Sequence, residues 1–253
     1  MKFIHTIRSL KPQTYGLLSL AVPVIAIAAG SPLLANAVTA STTTPTTATT
    51  SQSRLPIIIT KGDQEITRRL TTLNTLTAKI NAATKLTASD KTTLSNEVSS
   101  TIKGLTTLKA QLDAETTVAA AKTDVANIYS EYRVYALVAP KIGLIKVADD
   151  QQVVEAKLTA LSVKLQARIT ADQTAGKDVT TLQADLADLN AKVSASQTIS
   201  SNMESTVISL QPSDYNSDHT LLTGDSAQLK TAHADNTVAV TDAKNVIAGL
   251  KSL

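Results

Sequence analysis

The sequence predicts an all-α fold, an elongated antiparallel bundle of five to six long amphipathic helices. Leu, Ile and Val recur at spacings of three and four residues through most of residues 58–253, which places them on one helix face. Almost nothing in the chain alternates with a period of two, so strands are not expected. With one Phe, five Tyr and no Trp, the core must be built from Leu, Ile, Val and Ala.

The first half of this region carries three helical patterns. A Thr followed three residues later by Asp resembles a capping box, and this predicts helix starts at Thr60 and Thr87. The break before the third pattern lies near residues 113–116. The apolar stripes of these three helices occupy residues 66–80, 94–112 and 118–135.

The second half carries three longer patterns. Gly176 is a plausible terminating residue for the fourth helix, Asp178 a plausible cap for the fifth, and Pro212 ends the fifth. The sixth helix, after residues 215–218, has a thin, Ala-rich stripe. The apolar stripes of these helices occupy residues 154–169, 182–210 and 222–250.

Pro140 separates the two halves, and the residue before a proline disfavours the α conformation. The chain is therefore expected either to turn or to kink there. Two arrangements fit this pattern: one elongated body, or two tandem three-helix bundles joined near Pro140. A single body is preferred because the halves show no convincing repeat in sequence.

Residues 1–37 have the composition of a secretion signal. Three cations precede an apolar core at residues 16–29, and Ala35 and Ala37 supply the small residues that signal peptidase reads. Cleavage near Ala37 is expected, since the core is shorter and more interrupted than a spanning helix. The alternative is a chain tethered by an uncleaved N-terminal segment. The expected localisation is secreted or at the cell surface.

A Ser/Thr-rich tract follows the signal. Ten of the thirteen residues at positions 41–53 are Ser or Thr, and the tract has no apolar periodicity. Such a segment cannot offset the entropy cost of folding. Residues 38–57 are therefore predicted to be a disordered linker, open to O-glycosylation, and residues 58–253 the helical bundle domain.

Charge gives no support for a nucleic-acid-binding protein, and cysteine content excludes a disulfide-stabilised one. The first 37 residues hold three of the 24 Lys and Arg and no acid, so the remainder carries 21 cations and 21 acids. The basic character of the whole chain therefore gives no argument for nucleic-acid binding. Cysteine is absent, so no disulfide can stabilise an exported form.

Two segments carry a resemblance to other proteins. They are residues 58–66, with Arg68, Arg69, Leu70, Leu73 and Asn74 after them, and residues 132–141 in mid-chain. Together they resemble a family of secreted, coiled-coil-like, all-helical bacterial proteins with no assigned activity. The resemblance covers most of residues 38–253 and implies the helical fold and export, and it implies no catalytic residue.

Residues able to carry chemistry are few. Outside the signal, the histidines are His219 and His233, fourteen residues apart and without a metalloprotease motif. Asp214 and Asp218 lie beside His219, but ordinary helix capping explains them better than a metal does. Asp149 and its neighbour Asp150 point in different directions on a helix. No catalytic residue, cofactor or metal is predicted.

A tyrosine-rich segment stands out against this background. Three tyrosines recur every third residue, and residues 134–148 form an apolar stretch that is interrupted only by Pro140, Lys141, Gly143 and Lys146. One interpretation is a buried helical corner, with Arg133 paired to Glu131 or Asp150. The other is an apolar tip that contacts a partner or a membrane. The predicted contact residues are Tyr129, Tyr132, Arg133, Tyr135, Leu137, Ile142, Leu144 and Ile145.

Three functional hypotheses follow. The first is a non-enzymatic exported scaffold or adhesin-like protein that acts by protein contacts or by self-association through its helix seams. The second is a membrane-active, pore-forming type of helical protein that uses residues 134–148. The third is a hydrolase or binding protein with a site near Asp214 and His219.

Overall fold

The computed structural model describes residues 54–253. The predicted secretion signal and the Ser/Thr tract at positions 41–53 lie outside these residues. Within them, six helices of 13 to 36 residues pack against one another and no strand is present, so the predicted all-α bundle is confirmed. The α-helices are α1 (Leu55–Ala82), α2 (Ala88–Ala114), α3 (Val118–Ser130), α4 (Ala139–Thr174), α5 (Thr180–Val207), the six-residue α6 (Pro212–Ser217) and α7 (Asp225–Ser252).

The helices pack in two groups of three: α1, α2 and α3 form one group, and α4, α5 and α7 form the other. Helices α1 and α2 run antiparallel, since Gly62 near the start of α1 meets Leu112 near the end of α2. Likewise Gly249, near the end of α7, meets Leu182 at the start of α5. A Cβ at either glycine would collide with the facing leucine, so these glycines let the helices approach closely.

Helix α4 takes part in both groups. Its first ten residues add Ile142, Ile145 and Ala148 to the core formed by α1, α2 and α3, and its remaining turns pack against α5 and α7. The end of α5 also reaches the first core, through Met203 and Val207. The arrangement is therefore two three-helix groups joined near Pro140 and sharing one long helix.

Two predicted caps at the start of the chain have different outcomes. The cap at Thr60 is wrong: α1 already begins at Leu55, with Pro56 in its first turn, and the Thr60 hydroxyl donates to the Pro56 carbonyl at 2.8 Å. Proline suits the first turn because its missing N–H has no partner there. Thr87, by contrast, is the N-cap of α2, and its Oγ1 accepts from the Asp90 backbone N–H.

The third helix is shorter than predicted. It ends at Ser130, and the helix is interrupted at Arg133, whose φ of 41° lies in the left-handed region. A π-helical turn (Val134–Val138) then leads directly into α4, and the chain keeps its direction along α2: Tyr132 meets Gly104, Lys141 meets Glu97 and Asp149 meets Asp90. The predicted stripe through residue 135 therefore spans this interruption.

The chain does not turn at Pro140, and the helix continues through this residue. Pro140 lies in the first turn of α4, immediately after the π-helical turn, in which Ala139 donates its N–H to the Val134 carbonyl five residues back. A proline inside a helix clashes with the carbonyl four residues earlier. The wider turn separates these groups, so the chain continues as a helix.

The predicted end of α4 is confirmed, whereas the N-cap of α5 is Val179 and not the predicted Asp178. Gly176 has a φ of 81°, and the N–H of Lys177 donates to the Asp172 carbonyl at 3.1 Å, which completes a Schellman motif. Asp178 accepts from the Thr180 N–H at the start of α5. Helix α5 ends at Val207, three residues before the predicted end.

Candidate functional site

Arg69 on α1 lies between two tyrosine rings. Its guanidinium carbon is 4.6 Å from the ring centroid of Tyr129 on α3 and 5.1 Å from that of Tyr135 in the π-helical turn. Glu65, one turn earlier on α1, accepts from Arg69 at 2.6 Å and fixes the guanidinium in place. We call Arg69, Tyr129 and Tyr135 the Arg69 patch.

The Arg69 patch presents aromatic surface to solvent over a buried cation. Tyr129 and Tyr135 are 44% and 37% exposed, whereas Arg69 is only 4% exposed. Tyr135 also shares a hydrogen bond of 3.3 Å with the Thr72 hydroxyl. Both exposed rings therefore contact the same buried cation.

Ion pairing also perturbs Glu65. Partial burial opposes ionisation of its carboxyl, but the hydrogen bond and charge of Arg69, with those of Arg68, outweigh it and lower the pKa of Glu65 below 4.5. The carboxylate is therefore ionised at neutral pH and anchors the patch.

Helix α6 contacts the break between α3 and the π-helical turn. The Nε of Arg133 donates to Asn216 Oδ1 at 2.6 Å, and its guanidinium lies 5.5 Å from the Tyr215 ring centroid. Asn216 in turn donates to the Ser130 carbonyl at the end of α3. Arg133 therefore pairs with Asn216, and the expected partners Glu131 and Asp150 are wrong. Asp150 instead pairs with lysines, described below.

The other predicted contact residues lie mainly in the interior. Leu137, Ile142 and Ile145 are buried, and Leu144 is half-buried. Tyr132 packs on Gly104 of α2, where a Cβ would lie 2.6 Å from the ring, and burial raises the pKa of Tyr132. Of the predicted set, the structure brings Tyr129 and Tyr135 together on the surface.

Lys141 is a buried cation that sequence analysis treated only as an interruption of an apolar stretch. It is fully buried, and its Nζ lies 2.8 Å from Glu97 of α2 and donates to the Leu210 carbonyl at 2.6 Å. The ammonium thus joins α4, α2 and the segment after α5. A charge in this position needs such partners, because desolvation is otherwise costly.

A group of three carboxylates lies where α2, α4 and α5 meet. Asp90, Asp149 and Glu204 each place one oxygen within 4.8 Å of the others, and Asp90 and Asp149 are buried. The backbone N–H of Thr87 donates to Asp149 Oδ2 at 2.9 Å, and the Thr87 hydroxyl donates to Asp90 at 2.6 Å. We call Asp90, Asp149 and Glu204 the carboxylate cluster.

Thr87 explains the geometry of this cluster. In a capping box the acid at the third position accepts the N–H of the cap residue. Here Asp149 of α4 accepts that N–H instead, and Asp90 bonds the Thr87 hydroxyl. The start of α2 is therefore tied to α4 through a carboxylate that is 1% exposed.

Asp149 is electrostatically unusual. Burial, together with the charges of Asp90 and Glu204 and a side-chain contact with Asp90, raises its pKa to about 7, and the hydrogen bond from the Thr87 N–H partly opposes this rise. Its Oδ1 is buried and has no hydrogen-bond partner. A buried oxygen without a hydrogen-bond donor raises the free energy of the folded state.

The residue that follows Asp149 has different partners. Asp150 lies 2.8 Å from Lys146 and 3.7 Å from Lys85, and so forms ordinary ion pairs. The expectation that Asp149 and Asp150 point in different directions is therefore confirmed.

The carboxylate cluster was missed in the sequence, although a signal for it exists. Residues 149–152 are four consecutive polar residues in the middle of a helix. Successive helical residues are 100° apart, so four of them surround the axis. In a helix packed on several sides, some of these side chains must be buried.

Residues near His219 are engaged in local turns. Asp214 accepts from the Gln211 N–H at 2.8 Å, and Asp218 accepts from both the backbone and the hydroxyl of Thr220. The His219 ring packs edge-on against Tyr215. The residues named in the third hypothesis thus serve as caps and turn contacts in this segment.

A comparison of the chain with family models, curated proteins and solved structures finds no match in any of the three. Among residues 54–253, no helix is both long enough and apolar enough to cross a membrane.

Proposed function

We propose that this chain is a non-enzymatic scaffold or adhesin-like protein, exported to the cell surface or the medium, that acts by protein contacts through the Arg69 patch. The observation that carries the proposal is the pair of exposed tyrosines held on one buried guanidinium. Tyrosine and arginine are enriched among the residues that dominate binding energy at protein interfaces.

Rigidity strengthens this argument. A flexible side chain loses conformational entropy on binding, whereas a ring already held in place loses less. Tyr135 is fixed by Arg69 and by Thr72, and Arg69 is fixed by Glu65. A partner with an apolar or aromatic side chain can pack on the rings without first ordering them.

Photocrosslinking on cells that produce the chain tests the proposal. A photoreactive phenylalanine replaces Tyr135 in one variant and Val238 in a control variant. Val238 on α7 is 40% exposed, close to the 37% of Tyr135. We expect a discrete protein adduct from position 135 and none from position 238. Equal adducts from both positions, or none from either, would contradict the proposal.

Export has its own test. Mass spectrometry of the protein recovered from the medium and from the cell envelope would give its N-terminus. An N-terminus close to residue 38 supports cleavage near Ala37. An intact N-terminus in the envelope fraction supports the tethered alternative, and recovery only from the cell interior would contradict export.

The membrane-active alternative requires residues 134–148 to leave the core. Leu137, Ile142 and Ile145 would have to be exposed, and each is at most 5% exposed here. Flotation with anionic vesicles, with dye leakage read in parallel, separates the alternatives. The scaffold proposal expects neither binding nor leakage, whereas binding with leakage that is weakened by Ile145→Asp would favour the alternative.

A further inference from the structure

We propose that the carboxylate cluster binds one hard divalent cation, of which Ca²⁺ is the best fit, and that this ion joins α2, α4 and α5. The inference is independent of the proposed function, because it concerns the interior of the fold. It rests on the spacing of Asp90, Asp149 and Glu204, on their burial and on the unpartnered Oδ1 of Asp149.

The spacing suits a single ion. Calcium–oxygen distances in proteins are about 2.3–2.6 Å, so two oxygens bound to the same ion lie no more than about 5.2 Å apart. One oxygen from each of the three carboxylates meets this condition, at 4.8 Å or less. The three residues come from three different helices, so the constellation depends on the tertiary fold.

The donor set favours a hard cation. Three carboxylates offer only oxygen, which suits Ca²⁺, Mg²⁺ and Mn²⁺ better than thiolate-preferring metals. The Thr87 hydroxyl, which donates to Asp90, adds a further oxygen beside the cluster. Ca²⁺ tolerates an irregular set of this kind, whereas Mg²⁺ demands near-ideal octahedral geometry.

The unpartnered oxygen is the second argument. Asp149 is 1% exposed, and its Oδ2 accepts the Thr87 N–H while its Oδ1 has no donor. Thr87 and Gln152, which donate hydrogen bonds to the three carboxylates, are both uncharged. A cation among them would satisfy Oδ1 and offset the mutual repulsion of the acids.

Calorimetric titration of the full-length chain tests the site. The chain is treated with EDTA, dialysed, and titrated separately with Ca²⁺, Mg²⁺ and Mn²⁺ at pH 8. We expect one Ca²⁺ per chain, with a rise in the melting temperature that grows with Ca²⁺ concentration, since an ion that binds only the folded state stabilises it by mass action. Absence of stoichiometric binding by every ion would overturn the proposal.

Paired variants locate the ion. Asp149→Asn and Glu204→Gln should each weaken Ca²⁺ binding at least tenfold. Asp150→Asn is the matched control: it makes the same change one residue away, at an acid paired with Lys85 and Lys146, and it should leave the affinity within about twofold. Binding that is unaffected by both cluster variants would place the ion elsewhere and overturn the proposal.

The melting temperature of each variant in EDTA shows whether a variant has lost only the ion site or has also lost its fold. In EDTA at pH 8, Asp149→Asn removes a buried charge, so it should melt at or above the temperature of the unsubstituted chain while no longer responding to Ca²⁺. Glu204→Gln lies at a less buried position and provides a second folded variant. A variant that is folded by circular dichroism and still responds to Ca²⁺ like the unsubstituted chain would contradict the assignment.

Discussion

Tyr129 and Tyr135 face the same guanidinium although the helix is interrupted between them. The first lies in the last turn of α3 and the second belongs to the π-helical turn, and Arg69 of α1 contacts both rings. The left-handed backbone of Arg133 makes this meeting possible, because a helix continued through residue 135 would carry Tyr135 away. Arg69 therefore connects three segments of the first group.

Replacing Arg69 with lysine should destabilise the fold by about 1–2 kcal/mol, because lysine keeps the charge but loses the planar group that stacks between the rings. Urea unfolding of the full-length chain measures the change. Arg68→Lys is the control, since the neighbouring arginine also pairs with Glu65 but has a largely exposed side chain. If Arg69→Lys lowers the free energy of unfolding no more than Arg68→Lys does, the rings do not have the stabilising role assigned to them.

Glu65→Gln should lower stability at neutral pH, and this effect should shrink as the pH falls below 4.5. The folded-state pKa of Glu65 lies below 4.5, so its contribution is present above that value and is lost as the pH falls through the folded pKa. The measurement compares the free energy of unfolding of the variant and the unsubstituted chain at each pH. A difference that stayed constant from pH 7 to pH 3 would rule out the charge as the cause.

Gly104→Ala should destabilise the protein by about 1–3 kcal/mol, since its new Cβ would lie 2.6 Å from the Tyr132 ring and force a local shift. Gly143→Ala is the matched control, because this helical glycine has no atom within 4 Å of an added Cβ. There alanine should stabilise α4 by about 0.5–1 kcal/mol. Thermal melting of the two variants checks the predicted opposite signs.

Lys141→Met should cost about 3–5 kcal/mol, because it leaves the Glu97 carboxylate and the Leu210 carbonyl without their buried donor. Lys109→Met makes the same substitution at a more exposed lysine that pairs with Asp63 and Asp113, and it should cost less than about 1 kcal/mol. Chemical denaturation compares them, and similar losses would show that burial is not the decisive factor.

Periodicity predicted the helices well where a single stripe faces a single core. The stripe at residues 94–112 lies within α2, and the stripe at residues 154–169 lies within α4. The helix through residue 135 was wrong because the helix break at Arg133 leaves no signal in the apolar spacing. The cap at Thr60 was wrong because Pro56 already starts the helix, and a Thr within a helix can bond the carbonyl four residues back.

The carboxylate cluster and the Arg69 patch could not be predicted residue by residue. Asp90, Asp149 and Glu204 are separated by more than fifty residues at each step, and their contact depends on how three helices are placed in space. The sequence named both tyrosines of the patch but not Arg69, because the cation reaches them from a helix about sixty residues earlier. Spacing along one helix carries no information on such contacts.

Because α4 belongs to both three-helix groups, neither group can be removed or copied without affecting the other. A cut after residue 133 would remove Ile142, Ile145 and Ala148 from the first core, together with Met203 and Val207 of α5. Neither three-helix group is thus a module that could be duplicated, exchanged or appended to another protein. Lengthening the molecule by repetition would require copying both groups together, which accords with the absence of an internal repeat in the sequence.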